Sequence, residues 1–459
     1  MEENVNKNNP LGTEAIPILL RRFAIPSIVA MLIGAFYNIV DQLFIGNYVG
    51  TLGNAATNVA FPLSTACIAL ALLGGIGGAS NFNLNMGRGE PEKAIRYVGN
   101  ALTMLFCSGL LLFLVTRAFL TPILVAFGTP DSVLPYAQTY VGITSIGFPF
   151  LILTSGGCHL IRADGSPTFS MICNVLGAVI NTVLDALFVV GFGWGMAGAA
   201  WATVIGQIIS GVIVVCYMRH FKTVPLKLSY LLPQFRLIRD IALLGMSACL
   251  NQLAMIIVQI IVNNSLTHYG ALSEYGEAIP LACCGIVMKV NQIYFSIVIG
   301  LSQSSQPLFS FNYGARLYDR VRKTYRLAII TSLAIGVIAF LAFQFLPRQI
   351  LMLFGDNTEE YFDFGVRFFR IFLFFTWANG IQAITSTFFA AIGKPMRGVL
   401  ISMTRQVILF IPLALILPRL MGLFGVLYTS PIADSITAVL ATTLAVLEFR
   451  QLKREEAGR

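Results

Sequence analysis

The sequence predicts an all-α integral membrane protein with twelve transmembrane helices in two six-helix bundles, an N-lobe and a C-lobe. The 459 residues are 56% hydrophobic and 11% charged, whereas about a quarter of the residues in a soluble domain are charged. Apolar runs of about 20 residues, the length that crosses a bilayer, recur along the chain. The chain also repeats itself at an offset of 227 residues. These three observations predict the fold class.

The apolar runs define the predicted spans in order. They occupy residues 23–46, 56–80, 97–118, 135–157, 168–191, 196–218, 240–266, 278–304, 325–346, 364–386, 396–417 and 422–446. Because the connections between them are short, the length leaves no room for a sizeable catalytic or nucleotide-binding domain.

The basic residues predict the orientation of these spans. Of the 30 Lys and Arg residues, 23 fall on one side when the loops are sorted alternately. By the positive-inside rule that side is the cytoplasm, so both termini are predicted to be cytoplasmic and the protein to be a multi-pass plasma-membrane protein. The net charge of +9 therefore reports topology and not a nucleic-acid partner. The predicted surroundings are the lipid bilayer, and nothing in the sequence demands more than a monomer.

The internal repeat predicts how the two halves are related. The 227-residue offset aligns Asn85-Met86-Gly87 with Asn312-Tyr313-Gly314, and Gly195 to Gly198 with Gly422 to Gly425. Because six helices is an even number, both halves enter from the same side, and a pseudo-twofold axis along the membrane normal relates them. The predicted domains are the N-lobe at 1–218, a cytoplasmic linker at 219–239 and the C-lobe at 240–459.

Ionisable residues inside the predicted spans are the main candidates for function. Each costs about 2.5 to 3.5 kcal/mol to insert at bilayer depth, so each needs a reason to be there. The five candidates are Asp41, Asp185, Lys289, Arg405 and Asp434.

Depth counting brings the first two candidates to one level. Asp41 lies 19 residues beyond Arg22, and Asp185 lies 18 residues beyond Pro167. At 1.5 Å per residue, both lie about 27 to 29 Å from the cytoplasmic start of their helices. The sequence therefore predicts that the two carboxylates share a layer in the outer half of the N-lobe.

Helical spacing adds polar neighbours to this pair. They are Tyr37 and Asn38 before Asp41, Asn181 before Asp185, and Thr203 and Gln207 on the sixth span. Carboxylate, amide and hydroxyl oxygens suit a sodium ion, and two neighbouring carboxylates equally suit a proton. The alternative interpretation is that Asp185 and Asn181 only pin helices together by hydrogen bonds.

The C-lobe differs chemically from the N-lobe. The 227-residue offset places Pro412 opposite Asp185, so ion coupling is predicted in the N-lobe. Arg405 and Asp434, on consecutive spans, are predicted to form a buried structural ion pair. Lys289 is predicted either to line the substrate cavity or to extend its ammonium group toward the interface.

Motifs for other chemistries are missing from the sequence. The one Gly-Lys pair, Gly393-Lys394, is followed by proline, so no phosphate-binding loop for ATP is present. His159, His220 and His268 are scattered without metal-binding spacing. The sequence therefore predicts neither an enzyme nor a cofactor-binding protein.

Several motifs, taken in order, carry a family resemblance. They are Ile25-Pro26 followed by Asp41, Gly87-Arg88-Gly89-Glu90, Arg162-Ala163-Asp164-Gly165-Ser166-Pro167, Asn181-Thr182-Val183-Leu184-Asp185, Gly195-Met196-Ala197-Gly198 and Asn312-Tyr313-Gly314-Ala315. With them, the sequence resembles the multidrug and toxic compound extrusion (MATE) family, in the bacterial branch that includes DinF-like and MepA-like proteins.

This resemblance implies a secondary antiporter with two lobes in a V shape. Such a protein exports amphipathic, often cationic compounds in exchange for protons or sodium ions. The resemblance assigns the cation and proton site to Asp41, Asn181, Asp185 and Thr203, further cavity residues to Tyr37 and Tyr140, and a helix-bending role to Pro26. For Asp41 and Asp185, the mechanism we hypothesise is competition between the exported cation and the exchanged ion for one negative site. The alternative function is a flippase for lipid-linked precursors, in which Lys289 and Arg405 would contact a pyrophosphate group.

Overall fold

The chain is mostly helical in the residues that the computed structural model describes, which are 9–276, 278–354 and 358–457. Those ranges contain no β-strand. The first eight residues of the predicted N-lobe lie outside the described ranges. In the described ranges, the predicted all-α membrane fold is confirmed.

The N-terminal half contains six long helices that match the first six predicted spans. They are α1 (Ile16–Tyr48), α2 (Thr51–Gly87), α3 (Pro91–Ala118), α4 (Leu134–Ala163), α5 (Pro167–Gly191) and α6 (Gly195–Arg219). Short helices at Pro10–Thr13 and Leu120–Ala126 accompany them. A 3-10 turn at Ser145–Gly147 interrupts α4, and α5 ends in a π-helical segment at Ala186–Gly191.

The C-terminal half repeats this arrangement after a linker with a 3-10 turn at Leu228–Leu231. Its helices are α7 (Phe235–Ala271), α8 (Ala278–Gly314), α9 (Tyr318–Phe345), α10a (Glu359–Phe372), α10b (Asn379–Ala391), α11 (Pro395–Met421) and α12 (Leu423–Ala457). A short helix at Pro347–Met352 follows α9, and a π-helical segment at Thr404–Phe410 lies within α11.

The tenth span differs from its prediction as one continuous helix over 364–386. A 3-10 turn at Thr376–Ala378 separates α10a from α10b. The hydroxyl of Thr376 donates to the carbonyl of Leu373 at 2.7 Å, and such local bonds compete with the helical ladder. Eleven helices of the described chain are long and apolar enough to cross a bilayer, and α10a with α10b supplies the twelfth crossing.

The corners before α5 and α11 show the internal repeat in the backbone. Gly165 and Gly393 adopt positive φ angles of 78° and 81°, which favour glycine because a Cβ would be strained there. Each is followed two residues later by a proline, Pro167 or Pro395, that opens the next helix, where its missing N–H costs nothing. The same short sequence pattern therefore builds the same corner in both lobes.

The two lobes meet through glycines at the end where the basic loops lie, here called the basic end. A Cβ on Gly87 of α2 would collide with the carbonyl oxygen of Phe311 in α8, and one on Gly314 with that of Leu84. These two contacts are related by the 227-residue offset. Glycine at these positions lets helix backbones approach closely, as small residues do in membrane helix interfaces.

Polar groups complete the interface between the lobes. The amide of Gln306 donates to the carbonyl of Ile76 at 3.0 Å and to the Ser80 hydroxyl at 2.8 Å. In the described ranges, the hydrogen bonds between the lobes lie at the basic end. The opposite half of the C-lobe has a core of its own, which includes Tyr294, Phe364 and Phe368. The lobes are therefore held together at the basic end.

Candidate ion and substrate site

Asp41 of α1 and Asp185 of α5 lie side by side inside the N-lobe. Asp41 is 8% exposed and Asp185 is fully buried. Their carboxyl groups lie close enough to interact electrostatically. The structure thus brings the two acids of the predicted layer together, while their role stays a prediction.

Asn181 and Thr203 extend this pair into a polar cluster. The Asn181 Nδ2 donates to the Thr203 Oγ1 at 3.1 Å, and the Thr203 hydroxyl donates to the carbonyl of Ala199 at 3.0 Å. Tyr37 and Tyr140 lie near Thr203 and the two acids. Four helices, α1, α4, α5 and α6, therefore contribute to one site, here called the N-lobe chamber (Tyr37, Asp41, Tyr140, Asn181, Asp185, Thr203).

Several oxygens in the N-lobe chamber are buried without a hydrogen-bond donor. They are the Oδ1 of Asp41, both carboxylate oxygens of Asp185 and the Oδ1 of Asn181. A buried polar atom without a partner is costly, so a cluster of four indicates a place where a proton or a cation can bind.

Irregular helix geometry shapes this chamber. The π-helical segment begins directly after Asp185, and the Phe192 N–H donates to the carbonyl of Leu187, five residues back. On α4, the 3-10 turn begins five residues after Tyr140. Its Gly147 lies against the Gln207 carboxamide, which a Cβ there would displace. Such breaks reorient side chains and are common at functional positions.

Other predicted cavity residues lie outside this cluster or at its edge. Asn38 is exposed, and its amide donates to the carbonyl of Gly34 at 2.9 Å. Gln207 is half-buried, with its carboxamide oxygen unpartnered. Lys289 is exposed on α8, and Pro26 is buried within α1 without ending that helix.

Arg405 and Asp434 form an ion pair in the C-lobe. The Arg405 Nε lies 2.5 Å from the Asp434 Oδ1. The hydroxyl of Ser430 donates to the other carboxylate oxygen at 3.1 Å. The ion pair thus joins α11 to α12, and its structural role stays a prediction.

Sequence reasoning missed a buried arginine in the interface between the lobes. Arg162 is buried in α4, where its guanidinium lies 2.9 Å from the His159 Nδ1 and donates to the Gln303 Oε1 at 3.1 Å. The sequence assigned Arg162 to a loop. The signal was present in α8, where Gln303 and Gln306 interrupt an apolar span.

Sequence reasoning also missed the role of Asp164 in the corner before α5. Its carboxylate accepts the N–H groups of Lys222 and Thr223 at 2.7 and 2.9 Å and the hydroxyl of Tyr217 at 2.8 Å. Burial raises the pKa of this carboxyl, and the hydrogen bonds oppose that rise. The C-lobe differs in the sign of the charge at the equivalent corner. There the corner carries two bases, Lys394 and Arg397, and both pair with the buried acid Glu448 of α12.

The described residues contain no group of three His, Cys, Asp or Glu side chains that could hold a metal ion. An ion in the N-lobe chamber would depend on the two carboxylates together with amide and hydroxyl oxygens.

The MatE family profile matches residues 26–187 and 247–416, more than half of this chain. The chain is 24% identical over 429 residues to the multidrug export protein MepA of Staphylococcus aureus strain MSSA476, covering 93% of each chain. It is 23% identical over 439 residues to the MepA of Staphylococcus saprophyticus, covering 95% of each.

Solved structures show the same fold. An outward-facing multidrug resistance MATE family transporter of the MOP superfamily superposes with a TM-score of 0.89 at 20% identity, covering 98% of each chain. A MOP superfamily transporter from Pyrococcus furiosus Vc1, described by the reverse polarity of its binding pocket, superposes with a TM-score of 0.88 at 20% identity, again covering 98% of each.

Proposed function

Because this chain belongs to the MATE family of membrane transporters, we propose that it is a secondary antiporter that exports amphipathic, often cationic compounds in exchange for protons or sodium ions. The observation that carries this proposal is the pair of buried carboxyl groups, Asp41 and Asp185, with oxygens that lack donors. The export function of the relatives named MepA supports the proposed substrate class.

The coupling follows from competition for the N-lobe chamber. Two carboxylates at this separation repel each other when both are ionised, and a proton or a small cation between them relieves that repulsion. When the exchanged ion is absent, the negative chamber attracts a cationic amphiphile. When the ion binds, that attraction is lost and the compound is released.

The surrounding side chains fit this exchange. Tyr37 and Tyr140 are half-buried and lie near the two acids, and aromatic side chains next to negative charge suit a cation with an apolar body. Asn181 and Thr203 supply neutral oxygens that a sodium ion or a hydrated proton can use. In the proposed transport path, Asn38 and Gln207 act at the edge of this chamber and Lys289 acts from the C-lobe.

Pro26 is proposed as the conformational hinge. Proline lacks a backbone N–H, so the carbonyl of Arg22, four residues earlier, has no helical partner from Pro26. A helix with a missing bond bends at lower cost. Bending of α1 would move Asp41 relative to Asp185 and so link ion binding to the movement of the lobes.

The available driving force is sufficient for this exchange. A hundredfold gradient of a neutral compound costs about 2.7 kcal/mol. One monovalent cation entering down 100 mV supplies about 2.3 kcal/mol, and a tenfold concentration ratio adds about 1.4 kcal/mol. A monovalent cationic compound exchanged for one ion moves no net charge, so more ions are needed to reach the same gradient.

The flippase alternative loses support from the C-lobe pair. Arg405 is neutralised by Asp434, which leaves Lys289 as the remaining candidate for a pyrophosphate group. One lysine provides little of the positive charge that such a ligand requires. The acidic N-lobe chamber would also repel it.

Localisation and assembly belong to the same proposal. We propose that both termini are cytoplasmic and that the protein lies in the plasma membrane, and the distribution of basic residues supports this. The described contacts between the lobes hold one chain together, and we propose a monomer as the transporting unit.

Substitution of Asp185 by asparagine tests the proposed coupling site. Purified protein in liposomes, loaded with ethidium and given a sodium or pH gradient, is expected to export the dye. The Asp185→Asn variant is expected to lose gradient-driven export, because the amide cannot take up the exchanged proton and binds a cation poorly. The Asp131→Asn variant removes an exposed acid and is expected to transport normally. Normal export by the Asp185→Asn variant would refute the assignment, and each gradient applied alone identifies the coupling ion.

A further inference from the structure

The linker between the lobes carries three very exposed apolar side chains. Leu228 is 85% exposed, Leu232 is 66% exposed and Phe235 is 83% exposed. Leu228 is the first residue of the 3-10 turn at Leu228–Leu231, and Leu232 directly follows that turn. Phe235 is the first residue of α7. Large apolar side chains concentrated on one short segment indicate a surface that is covered by something apolar.

The linker lies at the edge of the lipid-facing surface. The Asn100 amide of α3 donates to the carbonyl of Tyr230 at 3.3 Å, and the Thr103 hydroxyl donates to that of Leu231 at 2.6 Å. Asn100 and Thr103 lie nine and twelve residues beyond Pro91, the first residue of α3, which is about 14 to 18 Å along the helix axis. The exposed apolar belt of α3 begins one turn further on, at Phe106. The linker therefore lies at the level where lipid headgroups meet the hydrocarbon.

The charge of the linker complements an anionic membrane surface. Residues 219–239 contain five bases and no acid. All five are exposed, and they are Arg219, Lys222, Lys227, Arg236 and Arg239. Among the described residues, Arg239 alone of these five side chains forms an ion pair, with Asp240 at 3.4 Å. Such a combination of bases and apolar anchors is typical of segments that lie in a membrane interface.

A cleft beside the linker has the same dual character. It has a volume of about 300 Å³, and Lys222 and Arg22 border it together with Phe169 and Ile172. Ile172 belongs to the exposed apolar surface of α5. The cleft thus offers positive charge next to the start of the lipid-facing surface, which matches a phosphate headgroup and its acyl chain.

We propose that the linker is an interfacial anchor that binds anionic phospholipids of the leaflet at the basic end. Leu228, Leu232 and Phe235 insert between acyl chains at the headgroup level. The linker bases contact the phosphates. The segment that joins the two lobes is then part of the membrane-embedded surface and not a loop in water.

Tryptophan fluorescence at position 235 tests the depth of this segment. The full chain is prepared with Trp194, Trp201 and Trp377 replaced by phenylalanine, so that one introduced tryptophan reports. Phe235→Trp is the test variant, Leu111→Trp reports the hydrocarbon, and Lys453→Trp reports the exposed end of α12. In liposomes of mixed phosphatidylcholine and phosphatidylglycerol, dibrominated acyl chains are expected to quench positions 235 and 111 but not 453. Acrylamide is expected to quench position 235 severalfold less than position 453.

A second comparison tests the role of charge. The fluorescence of position 235 is measured in phosphatidylcholine alone and with phosphatidylglycerol added. Shielding from acrylamide is expected to increase with the anionic lipid and to lose that increase when Lys222, Lys227, Arg236 and Arg239 are replaced by glutamine. Quenching of position 235 by acrylamide as strong as at position 453 would overturn the proposal and favour a soluble protein partner for these side chains. Equal shielding in both lipid compositions would overturn the anionic specificity.

Discussion

At the scale of single residues, the cost of membrane charge made Asp41 and Asp185 predictable. Both are acids in otherwise apolar spans, and helix geometry alone placed them at one depth. The same reasoning did not find Arg162, because a basic residue in a predicted loop is interpreted as a topology signal. Its burial depends on contact with Gln303 of the other lobe, 141 residues away in sequence. Contacts of this kind have no local signature.

The Arg405–Asp434 pair is expected to behave as one unit. Removing one partner of a buried ion pair leaves an uncompensated charge and costs about 3 to 5 kcal/mol. Asp434→Ala is therefore expected to lower the melting temperature of the purified protein in detergent strongly. The double variant Arg405→Met with Asp434→Leu is expected to recover most of that loss, because neither charge then remains. Additive losses in the double variant would show that the two side chains act independently.

At the scale of elements, the sequence located the spans well but not their ends. The second span was predicted to stop at residue 80, whereas α2 continues to Gly87. Asn81 and Asn85 lie in this extension, and their amides donate to the carbonyls of Gly77 and Asn81, four residues back. Hydropathy marks where a helix leaves the lipid and not where it ends. The break between α10a and α10b was also missed, since it involves a hydroxyl contact of Thr376 that an apolar window does not detect.

The linker is an element that the structure attaches to the N-lobe. Asp164 accepts the N–H groups of Lys222 and Thr223, and α3 holds the next turn. We expect it to move with the N-lobe during transport. The Asp164→Ala variant removes the acceptor for both amides, and hydrogen bonds to a charged group contribute about 1.5 to 3 kcal/mol each.

Hydrogen exchange measured by mass spectrometry checks this attachment. Exchange in the peptide that contains Lys222 and Thr223 is expected to accelerate about tenfold or more in the Asp164→Ala variant, given the strength of such bonds. The Asp164→Asn variant keeps one carbonyl acceptor and is expected to show a smaller change. Asp131→Ala is the control at an exposed acid. Unchanged exchange in the Asp164→Ala variant would mean that α3 alone holds the linker.

At the scale of the whole molecule, the internal repeat was visible in the sequence and reappears as a repeat of irregularities. Each lobe has a 3-10 turn in its fourth helix, at Ser145–Gly147 and Thr376–Ala378, and these turns lie within four residues of the 227-residue offset. Each lobe also has a π-helical segment in its fifth helix, but the two segments begin 218 residues apart and so are not at equivalent positions. The side chains differ between the two lobes. The N-lobe has the acid pair Asp41 and Asp185, whereas the C-lobe has Pro412 at the position equivalent to Asp185. A repeat in backbone geometry with different side chains fits a protein in which both lobes move alike and one lobe senses the ion. The sequence could predict the repeat from glycine and proline positions, whereas the way the lobes meet required the structure.

Closure at the basic end depends on glycines that leave no room for a side chain. A Cβ on Gly77 of α2 would collide with the carbonyl of Ile241 in α7, and it would also meet the backbone nitrogen of Gly245 in the same helix. Since backbone cannot yield as a side chain can, Gly77→Ala is expected to push the lobes apart at this end. In an alternating-access transporter, opening at one end accompanies closing at the other, so the variant is expected to favour the opposite state and transport slowly.

Pulsed electron paramagnetic resonance tests whether Gly77→Ala changes the separation of the lobes. Distances are measured between pairs of spin labels introduced into a cysteine-free variant. Labels at Glu92 and Asp319, which are 227 residues apart and exposed at the basic end, are expected to separate in the Gly77→Ala variant. Labels at Asp131 and Glu360, exposed at the other end, are expected to approach each other. Gly285→Ala makes the same substitution within α8, where the structure leaves open space around the added methyl group, and is expected to leave both distances unchanged. If Gly77→Ala changed neither distance, the interface would tolerate a side chain and closure of the basic end would not depend on direct backbone contact.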